Sequence, residues 1–169
     1  MNRIELSIVA AILAAAPCVA SAQAVVSERT LSLNAALEMA TAAFEQCRKE
    51  GHSVSVTVLN RAARTKVVLH ADGANPHTIE NSLRKAYTAL TYRTPSGDYG
   101  KRITSSPTGA GALHLDKITT AQGGLPIVSN KEVIGSIGVS GAPTTPEGPG
   151  GAKDAACAQA GIDRISKGL

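Results

Sequence analysis

Aromatic side chains are nearly missing from this sequence. Tryptophan is absent, phenylalanine occurs once and tyrosine three times in 169 residues. A core so poor in rings must be packed from Val, Ile, Leu and Ala, a composition suited to closely apposed helices and sheets. The same shortage argues against a protein that stacks nucleobases on aromatic platforms. No run of Lys or Arg exceeds two residues and the net charge is only +4, so no electrostatic footprint for DNA or RNA is present. Beyond the N-terminal segment, no stretch approaches the ~20 continuous apolar residues of a membrane span. Walker loops, a G-x-S-x-G elbow and H-E-x-x-H are also lacking, and no local signature pairs a nucleophile with a base.

What is present fits one domain. The hydrophobic fraction of 43% and charged fraction of 18% are those of a chain that builds a core. Residues 1–22 read as a secretory signal peptide. Arg3 supplies the positive start, Leu6 to Ala16 the apolar stretch, and Ala20-Ser21-Ala22 a small-residue cleavage frame. Cleavage after Ala22 is expected, leaving residues 23–169 as an exported domain, periplasmic or secreted. Cys18 belongs to the leader, so two cysteines remain, Cys47 and Cys157. Export makes a disulfide between them reasonable, and two buried thiols are the alternative.

Helical spacing of Leu33, Leu37, Ala40, Phe44 and Cys47 behind Ser32 predicts a first helix over about 33–50. Ser53 to Leu59 alternates polar and apolar residues, and with Thr65 to Ala71 it predicts an antiparallel hairpin. A second helix is expected over His77 to Tyr92, with Ile79, Leu83, Ala86 and Leu90 facing the core and His77, Asn81, Arg84 and Thr88 forming a polar stripe. Glu80 and Lys85 flank that stripe. Residues 94–113 read as a long loop with room for one helical turn, Ile118 to Gln122 as a short strand, and Gly124–Ser129 with Glu132–Ser140 as a second hairpin. A last helix spans about Ala152 to Ser166. Two strands, then three, separated by helices, indicate an α+β domain with one helix-covered antiparallel sheet.

The second helix is the most informative element. A His at a helix start with an Arg two turns on can hold an anion, because the N-terminus and the guanidinium both favour negative charge. The other reading of this face is simple solvation. Of the four histidines, no two share metal-ligand spacing on one helix. His52 and His70 read as surface residues at strand ends, His114 as a neighbour of the long loop, and His77 as the candidate ligand. Gly123-Gly124, and Gly135 with Gly138, mark places where backbone passes close to a neighbour, whether a ligand or a packed helix.

Several segments together carry a resemblance. Asp72-Gly-Ala-Asn-Pro-His-Thr-Ile-Glu80, Arg84-Lys-Ala-Tyr-Thr-Ala89, Gly123-Gly-Leu-Pro-Ile-Val128, Glu132-Val-Ile-Gly-Ser-Ile-Gly-Val-Ser-Gly-Ala142 and Asp154-Ala-Ala-Cys-Ala-Gln-Ala-Gly161 resemble the GlcG/HbpS-like haem-binding family. The resemblance implies a profilin-like or PAS-like fold with a five-stranded antiparallel sheet, a homo-oligomer, and haem as the possible cofactor. Carried over by position, His77, Glu80, Arg84 and Lys85 match the family's helix, and Gly123, Gly124 and Pro126 its loop. Under a haem reading His77 is the iron ligand, and Arg84, Lys85, Lys101 and Arg102 serve the propionates. More broadly, His77, Asn81, Arg84, Lys85, Tyr99, Gly123, Gly124 and Pro126 form the expected site for haem or a small organic anion. A second reading is a cofactor-independent lyase or isomerase, with His77 or Glu80 as base, Arg84 as anion site and Tyr99 as a donor. A third is an oligomeric interaction module that takes no ligand.

Overall fold

The computed structural model describes residues 24–106, 108–143 and 151–169. The expected leader lies outside them. Among the described residues four strands and four α-helices follow in the order α1 (Leu33–Lys49), β1 (Ser55–Asn60), β2 (Thr65–His70), α2 (His77–Tyr92), α3 (Ser96–Thr104), β3 (Gly124–Ser129), β4 (Glu132–Ser140) and α4 (Ala152–Ile165). The strands form one antiparallel sheet in the order β2-β1-β4-β3. This is the expected α+β domain, with four strands instead of five.

The strand expected at Ile118 to Gln122 does not form, and its hydrogen bonds show why. The Thr119 N–H donates to Thr88 Oγ1 at 3.0 Å, and the Ala121 carbonyl accepts from Ser96 Oγ at 2.8 Å. Ile118 is buried in a small cluster with Tyr99 and Ile103. The backbone groups that a fifth strand would spend on a sheet edge go to side chains of α2 and α3. The expected loop at 94–113 is also more ordered than its composition suggests: it holds α3 and a 3-10 segment at Gly109–His114.

The two faces of the sheet differ in chemistry. On one, Val54, Val56, Val58, Val67, Ile127, Ile137 and Val139 pack against Ala36, Met39, Ala40 and Ala43 of α1 and Ala158 of α4. Cys47 and Cys157 form a disulfide there, joining α1 to α4 with their Cα atoms 5.6 Å apart. The opposite face presents Ser55, Thr57, Gly138 and Ser140, with Ser55 paired to Ser140 and Thr57 to Gly138 across β1 and β4. Helix α2 lies on that face.

Small, polar residues on the sheet decide which side of α2 turns inward. Thr78, Ser82, Lys85, Ala86, Thr88 and Ala89 are buried. Ile79, expected in the core, is 42% exposed. Helix and sheet meet through hydroxyl pairs, Ser55 with Thr78 and Thr57 with Ser82, each at 2.7 Å. The approach is close enough that a Cβ on Gly138 would collide with the Ser82 carbonyl and stand 2.6 Å from the Ala86 nitrogen. A Cβ on Gly124 would likewise strike the Lys85 carbonyl. Leucines would hold the helix off this surface, so the leucine stripe turns outward.

Glycine at 138 therefore sets the height of α2 above the sheet. Gly138→Ala is expected to lower stability by about 1–3 kcal/mol, the cost of overpacking a dense interior. Denaturant unfolding measures it, and a variant as stable as the parent would show that the helix can rise freely.

Candidate functional site

Two flanks of α2 carry the surface features of interest. On the flank facing α4 lies a cleft of about 380 Å³, lined by Asn75, His77, Thr78, Asn81, Lys85, Ser140, Gly141 and Asp154 among others. Its floor is an ion pair. Lys85 Nζ donates to Asp154 Oδ2 at 2.7 Å and to the Val139 carbonyl at 3.0 Å. The other carboxylate oxygen of Asp154 accepts from the Ala142 N–H at 2.9 Å. Both side chains are almost fully buried, at 3% and 4% exposure. Burial lowers the Lys85 pKa below its ordinary value, and the Asp154 charge and hydrogen bond work against that fall.

Higher in the cleft, Asn81 Nδ2 donates to Ser140 Oγ at 2.9 Å. The Ser140 hydroxyl proton, the second Asn81 amide proton and the third Lys85 proton have no acceptor among the described residues. These protons stand beside acceptors such as Asn81 Oδ1, an arrangement able to hold a small polar group.

The second flank faces β2, the edge strand. Val68 and Ile79, 44% and 42% exposed, border a groove of about 460 Å³ with Thr57, Thr65, Pro76, Glu80 and Leu83. Apolar side chains dominate it. Its origin is the rotation of α2 described above.

The expected site residues are divided by this geometry. His77, Asn81 and Lys85 meet in the cleft, with Gly123 packed behind the ion pair. Glu80 lines the groove instead, and Arg84 pairs with it on the helix surface at 2.6 Å. Tyr99 is buried away from the cleft, stacked on Tyr92 with ring centroids 3.8 Å apart. Burial, reinforced by Tyr92, pushes its phenol up to about 12. Pro126 sits in β3 opposite Ser136, outside the cleft lining, and Lys101 and Arg102 are exposed on α3. Among the described residues no group of three or more His, Cys, Asp or Glu side chains is placed to hold a metal ion. Sequence reasoning passed over Asp154 and Ser140. The available signal was an acidic residue opening a helix whose next turn carries a core cysteine.

Removing one member of a buried pair strands the other. Asp154→Asn is expected to cost about 3–5 kcal/mol by leaving the Lys85 ammonium uncompensated, whereas Lys85→Met with Asp154→Asn recovers much of that loss. Because the folded-state pKa of Lys85 lies below its unfolded value near 10.5, the folded protein carries the cost of the charged ammonium at neutral pH. That cost is relieved as pH climbs from the lowered value toward 10.5. The stability advantage of the parent over the double variant should therefore grow on the alkaline side, as read from urea midpoints across pH. A single Asp154→Asn variant with unaltered stability would contradict the pairing.

Known proteins share this framework. A double Glu-to-Asp variant of HbpS from Streptomyces reticuli superposes with a TM-score of 0.74 at 34% identity, over 89% of this chain and 97% of that one. GlcG of Escherichia coli is 28% identical over 110 residues, 65% of this chain and 81% of GlcG. PduOC, solved as a haem complex, superposes with a TM-score of 0.71 at 22% identity over 80% of this chain and 95% of its own, a likeness of fold alone. The sequence model of the family described as "Haem degrading protein HbpS-like" matches residues 31–163. That span runs from the residue before the α1 cap to the last turn of α4, and the chain belongs to the HbpS-like family.

Proposed function

We propose that this chain is an exported haem-binding protein. The observation that carries the reading is the β2–α2 groove, an exposed apolar surface with the His70 imidazole at one end. A flat macrocycle needs apolar walls, and Pro76, Ile79, Leu83 and Val68 supply them. His70 stands at this end of the groove on the same face of β2 as Val68, and its side chain reaches the surface. A cation for a propionate is at hand on the helix side. Arg84 is exposed on the helix, where it pairs with Glu80. The cleft is unsuited to the macrocycle because hydrogen-bonding groups dominate its walls. Family membership and the haem complex of PduOC, a protein of the same fold, support haem as the ligand. Bound haem supplies an iron centre for electron or oxygen chemistry, and the chain's own residues hold and orient it.

Export is supported by the leader pattern of residues 1–22 and by the Cys47–Cys157 disulfide, a bond that persists in oxidising compartments. Among the described residues no helix is long and apolar enough to cross a membrane.

Haemin titration of the mature protein, followed by absorbance, is expected to saturate near one equivalent per chain. Ile79→Asp, which places a carboxylate in the apolar groove without touching the core, should weaken binding about tenfold or more, since burying an unpaired charge is costly. A non-saturating change equal to that of an unrelated protein would refute haem binding. Expression of the full sequence in a bacterial host should yield an exported protein whose intact mass begins at Gln23 with the disulfide closed. Retention in the cytoplasm with the leader attached would refute export.

A further inference from the structure

Four groups around the start of α2 form a hydrogen-bonded chain with a defined direction. His70 Nδ1 lies 2.8 Å from Ser55 Oγ, and Ser55 Oγ lies 2.7 Å from Thr78 Oγ1. Thr78 Oγ1 in turn lies 2.7 Å from the Asn75 carbonyl. A carbonyl only accepts, so the single hydroxyl proton of Thr78 goes to Asn75. Thr78 must then accept from Ser55. With its own proton given to Thr78, Ser55 must accept from His70. The network thereby assigns neutral His70 its proton on Nδ1, and Nε2 carries a lone pair.

Burial reinforces the arrangement. Ser55 and Thr78 are 0% and 1% exposed, whereas His70 is exposed at the end of β2. The ring is gripped by its inner nitrogen and turns the other toward solvent. This is how proteins prepare an imidazole for a metal: a partner on one nitrogen fixes both tautomer and ring orientation, leaving the other free to donate its pair.

The location matters equally. His70 and Val68 share one face of β2, paired across to Ser55 and Thr57. Val68 is part of the groove wall with Ile79 and Leu83. The free nitrogen therefore stands at the end of an apolar surface. His77 differs in both respects. Its side chain lines the polar cleft on the other flank of α2, and no hydrogen bond among the described residues fixes its ring.

Resting on the haem-binding reading above, we infer that His70 takes the haem iron through Nε2, with the macrocycle against the β2–α2 groove and with Ser55 and Thr78 positioning the ring. His70 is the ligand. Ser55 and Thr78 are positioning residues acting through it.

Haemin titrations on the parent, His70→Ala, His77→Ala and Ser55→Ala, with circular dichroism to confirm folding, separate the possibilities. The parent is expected to give a saturable Soret shift. His70→Ala should lose it, or weaken it by well over about tenfold, and added imidazole should restore the parent's spectrum. His77→Ala should leave the titration unchanged. Ser55→Ala keeps the ligand but releases the tautomer, and should weaken binding by about tenfold, the usual scale for an outer-shell partner. Nitrogen-15 shifts of the haem-free protein above pH 8 should show His70 in the Nδ1–H form. Saturable binding in the parent with an unchanged spectrum and affinity in His70→Ala would overturn the ligand assignment while leaving haem binding intact. So would an Nε2–H pattern for His70. No saturable binding by the parent would instead overturn the haem reading itself.

Discussion

The contact on which this molecule's surface depends is the close seating of α2 on the hydroxyl-lined face of the sheet. Gly138 and Gly124 remove the side chains that would hold the helix away, and the Ser82 and Lys85 carbonyls occupy the space. At that separation only small residues fit between helix and strands. Threonine and serine can fill the gap because they find one another: Ser55 meets Thr78, and Thr57 meets Ser82, so these hydroxyls are satisfied, whereas the buried Ser136 hydroxyl farther along β4 has no partner among the described residues. The rotation of the helix follows. With Thr78, Ser82, Lys85 and Ala89 turned inward, Ile79 and Leu83 are turned out, and both flanking features result from the same choice.

The opposite face bears a different burden. There Val, Ile and Ala pack without polar interruption, and the disulfide links the two covering helices. Hydrophobic burial on that side, not on the α2 side, is the main source of folding free energy. This separation lets the α2 face hold polar groups in fixed directions. A hydroxyl in an apolar core would be a defect, whereas a row of hydroxyls between glycine-bearing strands and a helix forms a directed network. The near absence of aromatic residues fits both faces: Phe44 packs only at the margin of the apolar core, and the tyrosines collect at the α2–α3 side.

The sequence revealed the order of elements well and their orientation poorly. Period-two alternation in Ser53 to Leu59 and helical spacing from Leu33 to Cys47 are local signals, and both elements form within two residues of the expected limits. The strand expected at Ile118 to Gln122 failed because its β-branched run is answered by Thr88 and Ser96, partners distant in sequence. The inward face of α2 was misread for a related reason. Hydrophobicity selects Ile79, Leu83 and Leu90, and it takes the partner surface, Ser55, Thr57 and Gly138, to show that size outweighs hydrophobicity there. The resemblance pointed to the right helix and loop, and its quoted segments included Asp154. What no local pattern could show is that Asp154 reaches back to Lys85, 69 positions earlier, or that Ser55 would orient His70.

Thr78 joins the two flanks. It lines the cleft, accepts from Ser55 on the groove side and donates to the Asn75 carbonyl that opens the helix. The Lys85–Asp154 pair fixes the same helix two turns on, through a Val139 carbonyl that belongs to the sheet. A buried ion pair adds little net stability compared with apolar residues of like volume, but it tolerates little displacement, because an ammonium and a carboxylate separated in the interior are both left uncompensated. The pair is therefore better understood as a fastener of position than as a source of free energy. It holds the register of α2 against β4, and through that register it holds Thr78 where the hydroxyl relay to His70 needs it.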